Sequence, residues 1–406
     1  MPSVLFLSRW YPMHSGHFIR QIAQAVSAHA NVFVLIVIPD PATKIFSFNI
    51  QYAEETEYRL KTLRVRYHHF SWRFFSAGLI NLTLYQVAQI RGLIFFYGKK
   101  IKFDLIHIHV LTRVAIIPFL VKLVFRKPYI ITEYWSRYLI ENNDYHGWLR
   151  KKITSLIARN ANGVIAISGY LKKAMEKNGI RNAYFRVIPP PVNTQLFTPV
   201  FPFPVPEKKR FIHISTFSNR AKNINGILRT IRKLSERRSD FECYLIGGET
   251  PFMEEAVSIA KELDLYEKIV FFRGVKFEEE LAREIQNSNF LVMFSNYETF
   301  SVVIQECLSC GKPVIATKTG PLPELVDKYS GILVNPCNED ELLDALDFML
   351  DHYQDYDPHR MHEKVQNSFG FNIVGKAYAD LYESILARTS VSSIKSITFK
   401  KSDIKT

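Results

Sequence analysis

Residues 297–320 read YETFSVVIQECLSCGKPVIATKTG, and the fold assignment begins from this stretch. The apolar run just before it, Phe290–Phe294, predicts a buried strand. Helical spacing follows over Phe300–Ser309, and Gly311 supplies the stop expected just past a helix end. A second apolar run, Pro313–Thr317, predicts the next strand. The stretch therefore has the strand, helix and strand order of a parallel sheet.

The same alternation covers most of the chain. The other apolar runs that predict strands are Val4–Ser8, Val32–Ile38, Leu105–His109, Tyr129–Thr132, Gly163–Ile167, Phe211–Ser215, Glu242–Ile246, Ile269–Phe272 and Gly331–Val334. The other predicted helices are Phe18–His29, Trp148–Asn160, Ile224–Arg237, Glu254–Leu263, Glu278–Gln286, Asp340–His352 and Val374–Ala387. Near-continuous apolar strands separated by helices favour parallel sheets covered on both faces.

A proline-rich stretch divides this pattern into two halves. Residues 189–206, PPPVNTQLFTPVFPFPVP, hold seven of the 19 prolines and predict an interdomain linker. We expect an N-terminal Rossmann-like domain over 1–195, joined by a C-terminal helix over 374–388, and a second Rossmann-like domain over 207–370. Residues 389–406 predict a flexible basic tail. If the carboxyl ends of both sheets face each other, a ligand cleft lies between the domains.

The composition is typical of a soluble globular protein: 406 residues, 47% hydrophobic and 22% charged. The start, MPSVLFLSRWYP, lacks the features of a signal peptide, and the most apolar windows, Leu79–Tyr97 and Val114–Phe125, are short or interrupted by polar residues. We therefore expect a cytoplasmic protein without a membrane span.

Two groups of residues raise the question of metal or redox chemistry. Cys307 and Cys310 are spaced as in redox and zinc motifs, but lie in an apolar helical run without a second ligand pair, which favours buried thiols. His107 and His109 share one face of a strand without a third ligand nearby, which favours ordinary hydrogen-bonded histidines. We expect no metal and no cofactor.

The quoted stretch places two carboxylates around a helix start. Glu298 lies in the loop before the helix, and Glu306 lies about two turns into it. The amides of Phe300, Ser301 and Val302 at the helix N-terminus suit a phosphate. The alternative roles are helix capping for Glu298 and a solvated helix position for Glu306.

The pattern ETFSVVIQE, followed by CLSCGKPVIATKTGPLPELV, resembles the signature of the retaining glycosyltransferases of family 4, which have the GT-B fold. The resemblance extends over nearly the whole chain and is strongest over 211–334. It implies that Glu298 contacts hydroxyls of the donor sugar and that Glu306 holds the ribose of the nucleotide.

Residues 215–228, STFSNRAKNINGIL, resemble the family loop that carries an Arg and then a Lys directed at the diphosphate. Lys222, followed by Asn223, matches the Lys position. Thr216 stands where the family has the Arg, and Arg220 is the nearby candidate to replace it. The loop around Arg273 and Gly274 is similar to the one beneath the nucleotide base.

Elements of the first half also resemble the family. The loop Trp10–Phe18 carries Gly16 and His17 where members often have two glycines near the donor phosphates and the acceptor. Tyr134 stands where members commonly have an active-site His, so Glu133 or Tyr134 would serve the acceptor side.

The resemblance implies transfer of a sugar from a nucleotide sugar to a saccharide or lipid-linked acceptor, with retention and without metal, in cell-surface polysaccharide synthesis. Lys222 and Glu298 are the expected catalytic residues. The alternatives are a GT-B epimerase or phosphorylase, or a non-catalytic nucleotide-sugar-binding protein.

The charge distribution suggests an anionic partner. Residues 1–200 hold 26 Lys and Arg against 9 Asp and Glu, whereas the rest holds 26 against 30. Cationic and large apolar residues alternate over Arg59–Phe75 and Leu93–Lys100, which favours peripheral contact with the inner face of an anionic membrane. The alternative is a solvated strand and a core helix. Nucleic-acid binding is disfavoured because no RNA-binding signature is present.

Overall fold

The computed structural model describes residues 1–8, 17–55, 59–71, 75–202 and 207–402, without the side chains of 17, 75–76 and 390–402. The chain forms two compact units, Met1–Pro191 with Phe371–Thr406, and Val192–Gly370.

Unit 1 is built on an eight-stranded sheet of order β3-β4-β2-β1-β5-β6-β7-β8. The strands are β1 Ser3–Ser8, β2 Asn31–Pro39, β3 Phe48–Glu55, β4 Leu60–Tyr67, β5 Leu105–His109, β6 Tyr129–Glu133, β7 Gly163–Ala166 and β8 Phe185–Val187. Strand β3 is antiparallel to β4, and the other pairs are parallel. The predicted strands are confirmed, and the additions are the β3–β4 pair at one edge of the sheet and β8 at the other.

Helices cover both faces of this sheet. They are α1 His17–Ser27, α2 Phe75–Gly98, α3 Ile116–Phe125, α4 Trp148–Asn160, α5 Gly169–Lys177 and α14 Phe371–Ser402, with 3-10 turns at Arg113–Ala115 and Ser136–Tyr138. Helix α14 approaches α1 so closely that a Cβ at Gly375 would lie 2.2 Å from the Ala25 carbonyl oxygen. It continues past the predicted end at Ala387.

Helix α2 differs from the sequence expectation. Within the part of the chain that the structure describes, Ala77–Gly98 is the one helix long and apolar enough to cross a membrane by length and composition. Gln86, Gln89 and Arg91 interrupt the apolar run in the sequence, but the helix is still apolar enough as a whole to meet this criterion. Core helices of soluble proteins share these properties, and 39% of this window is buried.

A buried polar network in unit 1 joins α14 to the sheet. His107 Nδ1 lies 2.8 Å from Tyr382 Oη, and His107 Nε2 lies 2.7 Å from Thr132 Oγ1. His109 Nδ1 lies 2.8 Å from Tyr134 Oη. Burial lowers the pKa of both histidines, to about 3 for His109. They are hydrogen-bonded core histidines, as predicted.

Unit 2 contains a six-stranded parallel sheet of order β11-β10-β9-β12-β13-β14. Its strands are β9 Lys209–Ser215, β10 Phe241–Gly247, β11 Val270–Gly274, β12 Phe290–Met293, β13 Val314–Thr317 and β14 Gly331–Val334. Its helices are α6 Asn219–Lys222, α7 Ile224–Ser235, α8 Phe252–Glu262, α9 Glu278–Gln286, α10 Val302–Ser309, α11 Leu322–Leu325, α12 Glu339–His352 and α13 Pro358–Phe369, with a 3-10 turn at Tyr353–Asp355. The predicted strands are confirmed, whereas α13 was not predicted.

Part of the proline-rich stretch packs on unit 2. Val192 N–H donates to the Phe369 carbonyl at 2.8 Å, and Ser309 Oγ donates to the Phe197 carbonyl at 2.5 Å. Phe197 is 1% exposed. The chain therefore becomes part of unit 2 well before β9 begins.

Candidate functional site

Two loops of unit 2 meet at Lys222 and Glu298. Lys222 ends α6 after β9, and Glu298 follows β12, which is the neighbour of β9 in the sheet. The Lys222 ammonium donates to Glu298 Oε1 at 2.5 Å, and Ser295 Oγ donates to the same oxygen at 2.9 Å. Glu298 is 7% exposed. The carboxyl ends of two adjacent parallel strands thus bring together the two predicted catalytic residues.

Asn296, in the loop after β12, is hydrogen-bonded to the segments that follow β9 and β13. Its amide N–H donates to the Ala221 carbonyl at 2.8 Å, and its side-chain Nδ2 donates to the Arg220 carbonyl at 3.0 Å. Thr319, after β13, donates its hydroxyl to the Asn296 carbonyl at 3.1 Å. Sequence analysis assigned no role to Ser295 or Asn296, although polar residues directly after a buried strand mark this position in α/β sheets.

A buried histidine supports the loop before Lys222. His213 Nδ1 donates to the Val292 carbonyl at 2.8 Å, so its Nε2 accepts from Ser215 Oγ at 2.7 Å. Ser215 Oγ in turn accepts the Phe217 amide at 3.0 Å. Burial lowers the pKa of His213 to about 4, and the nearby Lys222 charge acts in the same direction. A neutral imidazole therefore fixes the turn after β9.

Asn223 joins α6 to α7 in a left-handed conformation, with φ 49° and ψ 47°. Its side chain accepts the Gly226 amide at 3.2 Å and caps α7. A Cβ at Gly226 would lie 2.7 Å from Asn223 Nδ2, so glycine provides the room for this cap. The predicted donor-binding residue Asn223 thus has a defined structural role beside Lys222.

Helix α10 begins two residues later than predicted. Ser301 is its N-cap at φ 81°, and Val302 is its first residue. Phe300 is 3% exposed and its ring lies 5.5 Å from that of Phe369. The amides that lack an intrahelical partner therefore belong to the first helical turn, Val302 onward, rather than to Phe300.

Glu306 lies on α10 and is 4% exposed, so it is not the solvated helix residue of the alternative interpretation.

Cys307 and Cys310 are fully buried free thiols, and burial raises their pKa. The prediction of buried thiols is confirmed. Lys312 is 4% exposed, and burial lowers its pKa to about 8.

Arg273 is not brought to Lys222 and Glu298. It is the residue that the pairing of β10 with β11 skips, since Leu245 is paired with Phe272 and Ile246 with Gly274. Phe272 lies 6.1 Å from the Phe217 ring, whereas Arg273 Nε donates to Glu284 of α9 at 3.2 Å. Gly274 adopts φ 67°, and a Cβ there would meet nothing within 4 Å. Backbone approach to a ligand is therefore open at Gly274.

Thr216 and Arg220 flank the loop before Lys222. The Thr216 carbonyl accepts the Glu249 amide at 3.2 Å. Arg220 is exposed and lies two residues before Lys222 in α6. Residues at this helical spacing do not face each other, so the two side chains leave α6 in different directions.

The predicted acceptor-side residues lie in unit 1. Glu133 is fully buried and accepts amide hydrogens from Leu111, Tyr134 and Trp135 at 2.9–3.0 Å. Burial raises its pKa against the opposing effect of these hydrogen bonds. Tyr134 is 7% exposed and its ring lies 4.6 Å from Phe18.

The loop carrying Gly16 lies outside the described residues, as does the side chain of His17. Among the described residues, no group of three or more His, Cys, Asp or Glu side chains is placed to hold a metal ion.

Two family models cover most of the chain. Glycosyltransferase Family 4 matches residues 16–196, and Glycosyl transferases group 1 matches residues 200–368.

Relatives of known sequence match over part of their length. An uncharacterized glycosyltransferase of Methanocaldococcus jannaschii is 27% identical over 60% of this chain and 64% of its own. Lipopolysaccharide 1,6-galactosyltransferase of Escherichia coli K12 is 25% identical over 56% of this chain and 62% of its own. The chain thus spans less than two thirds of the length of these relatives.

Solved structures match over nearly the whole chain. Sucrose-phosphate synthase from Thermosynechococcus elongatus has a TM-score of 0.78 at 19% identity, covering 96% of this chain and 100% of its own. The Anabaena protein HepE, in complex with UDP and glucose, has a TM-score of 0.72 at 17% identity, covering 95% and 100%. At these identities the likeness shows the fold. Together with the two largely parallel sheets, this likeness shows the GT-B fold, and the two family matches show that the chain belongs to the family 4 glycosyltransferases (glycosyl transferases group 1).

Proposed function

We propose that this protein transfers a sugar from a nucleoside diphosphate sugar to a saccharide or lipid-linked acceptor, with retention of the anomeric configuration. The observation that carries the proposal is the Lys222–Glu298 pair at the carboxyl ends of β9 and β12. One loop supplies a cation for a diphosphate, and the adjacent loop supplies a carboxylate that accepts sugar hydroxyls. A nucleotide-sugar donor is supported by the structural neighbour HepE, whose structure in complex with UDP-glucose has been solved.

The donor would be held along α10. Glu298 accepts hydroxyls of the sugar, and the first amides of α10 receive a phosphate. Glu306, buried in the second turn of the helix, accepts the ribose hydroxyls. Lys222 leaves its ion pair and binds the diphosphate. Each charged group of the site thus binds a different part of the nucleotide sugar.

The reaction would proceed by attack on the same face of the sugar that the diphosphate leaves. The bond between the anomeric carbon and the β-phosphate oxygen breaks, and the acceptor oxygen bonds to that carbon. The acceptor proton passes to the leaving phosphate oxygen. Lys222 and the α10 amides stabilise the charge that develops on that phosphate. Glu298 is the one acid assigned to the sugar, so we assign no carboxylate pair of the glycosidase type.

The location of this reaction would be the cytoplasm, at the inner face of the cell membrane, in cell-surface polysaccharide synthesis. The relative that acts on lipopolysaccharide supports this assignment. The strand half of the expected membrane surface argues against it. Leu60, Leu63 and Val65 lie on β4, the strand between β2 and β3 in the sheet, and all three are fully buried.

A panel of nucleotide sugars tests the proposal by thermal shift and by slow donor hydrolysis. A matched donor at a hundred times its Kd stabilises the folded protein by about 2.7 kcal/mol, which raises the unfolding temperature by several degrees. A shift together with slow sugar release supports a transferase. A shift without release, or with conversion to another sugar, supports the binding-protein or epimerase alternative. No shift with any donor contradicts the proposal.

A further inference from the structure

Three helices of unit 1 expose an unusual amount of apolar surface. They carry half of the 26 exposed large hydrophobic side chains in the described part of the chain. We name this surface the α2–α4 face and define it by those residues: Leu79, Ile80, Ile90, Ile94 and Tyr97 on α2; Leu120, Leu123, Val124 and Phe125 on α3; Trp148, Leu149, Ile153 and Leu156 on α4.

On α2, four of the five exposed hydrophobic residues form one stripe. Leu79, Ile90, Ile94 and Tyr97 are separated by 11, 4 and 3 residues, which places them on one side of the helix. Their exposures run from 42% to 84%. The opposite side packs on the sheet, since a Cβ at Gly92 would lie 2.4 Å from Leu35 of β2. A helix held along the sheet in this way presents its apolar stripe sideways to a surface and does not cross a membrane.

Hydrogen bonds join the three helices side by side. Gln86 and Gln89 of α2 donate to the carbonyls of Arg113 and Val114, just before α3, at 3.0 and 2.9 Å. Lys122 of α3 donates to the Asn160 carbonyl at the end of α4 at 2.6 Å. Their outward sides therefore form one continuous face.

The charge of this face selects its partner. Helices α2, α3 and α4 contain six Lys and Arg and no Asp or Glu: Arg91, Lys122, Arg150, Lys151, Lys152 and Arg159. Lys152 lies over the Trp148 ring at 4.9 Å from its centre, so a cation and an aromatic ring share the rim of the face. A second copy would bring cations against cations, whereas anionic headgroups match the cations and acyl chains match the apolar stripe.

We propose that the α2–α4 face docks on an anionic lipid surface, with the three helices lying in the plane of the interface. This deepens the proposed function, and rests on it only in that a membrane would hold the lipid-linked acceptor. The docking residues are new relative to the sequence expectation, because α3 and α4 contribute most of them.

Cosedimentation of the full chain with vesicles tests this inference. The vesicles are phosphatidylcholine, with or without phosphatidylglycerol, at low and high salt. The variant Ile94→Glu/Leu123→Glu/Leu156→Glu changes one residue on each helix, at exposures of 62%, 61% and 51%. The matched control, Val275→Glu/Phe348→Glu/Ile373→Glu, makes the same charge change at exposures of 44%, 50% and 46%.

We expect the unchanged protein to bind phosphatidylglycerol vesicles and to dissociate as salt rises. The face variant should lose at least about tenfold in partition coefficient, and the control should stay within about twofold. Absence of binding, equal binding to neutral vesicles, or equal losses in both variants would overturn the proposal. A dimer that only the face variant dissociates, without vesicle binding, would overturn it in favour of a second copy.

The vesicle assay contains neither donor nor acceptor. If vesicle binding fails while a nucleotide sugar still shifts the unfolding temperature, the docking inference is overturned and the proposed function stands. If vesicles bind and no donor does, the proposed function fails and the docking face stands.

Discussion

Lys222 Nζ lies 2.5 Å from Glu298 Oε1. The two residues assigned from the sequence to the diphosphate and to the sugar therefore form a hydrogen-bonded ion pair with each other. The side chains are 20% and 8% exposed. A donor that engages both must exchange one partly buried ion pair for two new contacts. Because charges of opposite sign in a partly buried site keep each other in place, this pair also holds the two loops in register before a donor arrives.

Replacement of Lys222 by Ala should lower kcat by about 10²–10³, since one preorganised cation at the leaving phosphate is removed. It should also cost stability, by about 1–3 kcal/mol, because Glu298 loses its charged partner in a buried site. Steady-state kinetics at saturating donor measure the first effect. Lys233→Ala is the control, because Lys233 is half-exposed and pairs with Asp340 at the surface. A loss below about threefold would argue against the assignment.

Replacement of Glu298 by Gln should separate the two halves of donor binding. The amide keeps the size of the side chain but releases the Lys222 ammonium from its ion pair. A nucleoside diphosphate alone should bind as well as before, or up to about tenfold tighter, since a charged hydrogen bond of about 1.5–3 kcal/mol no longer competes. The nucleotide sugar should bind more weakly because its hydroxyls lose a charged acceptor.

Calorimetric titration with both ligands measures this ratio, with the exposed Glu254→Gln as control. Equal weakening toward diphosphate and nucleotide sugar would mean that Glu298 acts only by supporting the loop.

Transfer should persist in EDTA, with a loss below about twofold. In the proposed mechanism, Lys222 and the α10 amides provide the positive charge that a divalent ion supplies in metal-dependent transferases. Product formation is followed with and without added Mg²⁺ after chelation. Activity that disappears on chelation and returns with Mg²⁺ would show that these protein groups do not suffice.

The parallel sheets were predictable because their strands are buried on both faces and form short, nearly continuous apolar runs. Strand β3 was not predicted. Phe48, Ile50 and Tyr52 alternate with Asn49 and Gln51, but the alternation covers only five residues, and every residue of Phe48–Glu55 is exposed or half-buried at the sheet edge. Spacing also located Glu298 and Glu306 relative to α10. The helix start itself was misplaced because Ser301 adopts a left-handed conformation that a non-glycine residue seldom takes.

The contacts of the site depend on distant parts of the chain and were beyond sequence reasoning. Lys222 and Glu298 are 76 residues apart. Their approach follows from the pairing of β9 with β12, which no local pattern encodes. Similarly, Arg273 was assigned to the ligand together with its whole loop. Its position depends on an irregularity in β11, since the pairing passes from Leu245 with Phe272 to Ile246 with Gly274 and skips Arg273.

Replacement of Gly247 by Ala should destabilise unit 2 by at least about 3 kcal/mol. A Cβ at this position would lie 2.1 Å from the Ser215 carbonyl oxygen, and the residue adopts φ 110°. The backbone of β9 would have to move just before the loop that carries Lys222.

Urea unfolding measures the effect, and Gly78→Ala is the control. Gly78 lies inside α2, and a Cβ there would have nothing within 4 Å, so alanine should stabilise by about 0.5–1 kcal/mol. A cost below about 1 kcal/mol at Gly247 would show that the strands relax more easily than their spacing implies.

The stability of unit 2 should fall as pH decreases from about 6.5 to about 4, in part through His213. Burial lowers the pKa of His213 from 6.5 to about 4. Between these two pH values the unfolded chain binds a proton at this histidine and the folded protein does not, which favours unfolding. The slope from one such group is about 1.4 kcal/mol per pH unit, and the total is roughly 3 kcal/mol. Above pH 6.5 neither state is protonated, and the contribution is constant.

His213→Gln should be less stable at neutral pH, because Gln cannot reproduce both hydrogen bonds of the ring, but its pH dependence should be shallower by that slope. Hydrogen exchange at the amides of β9 and α7, across the same pH range, measures the free energy of opening in unit 2 alone. The control is His352→Gln, an exposed residue paired with Asp355, which should leave the His213 slope in place. An unchanged slope in the His213 variant would mean that other buried groups of the fold account for the acid sensitivity.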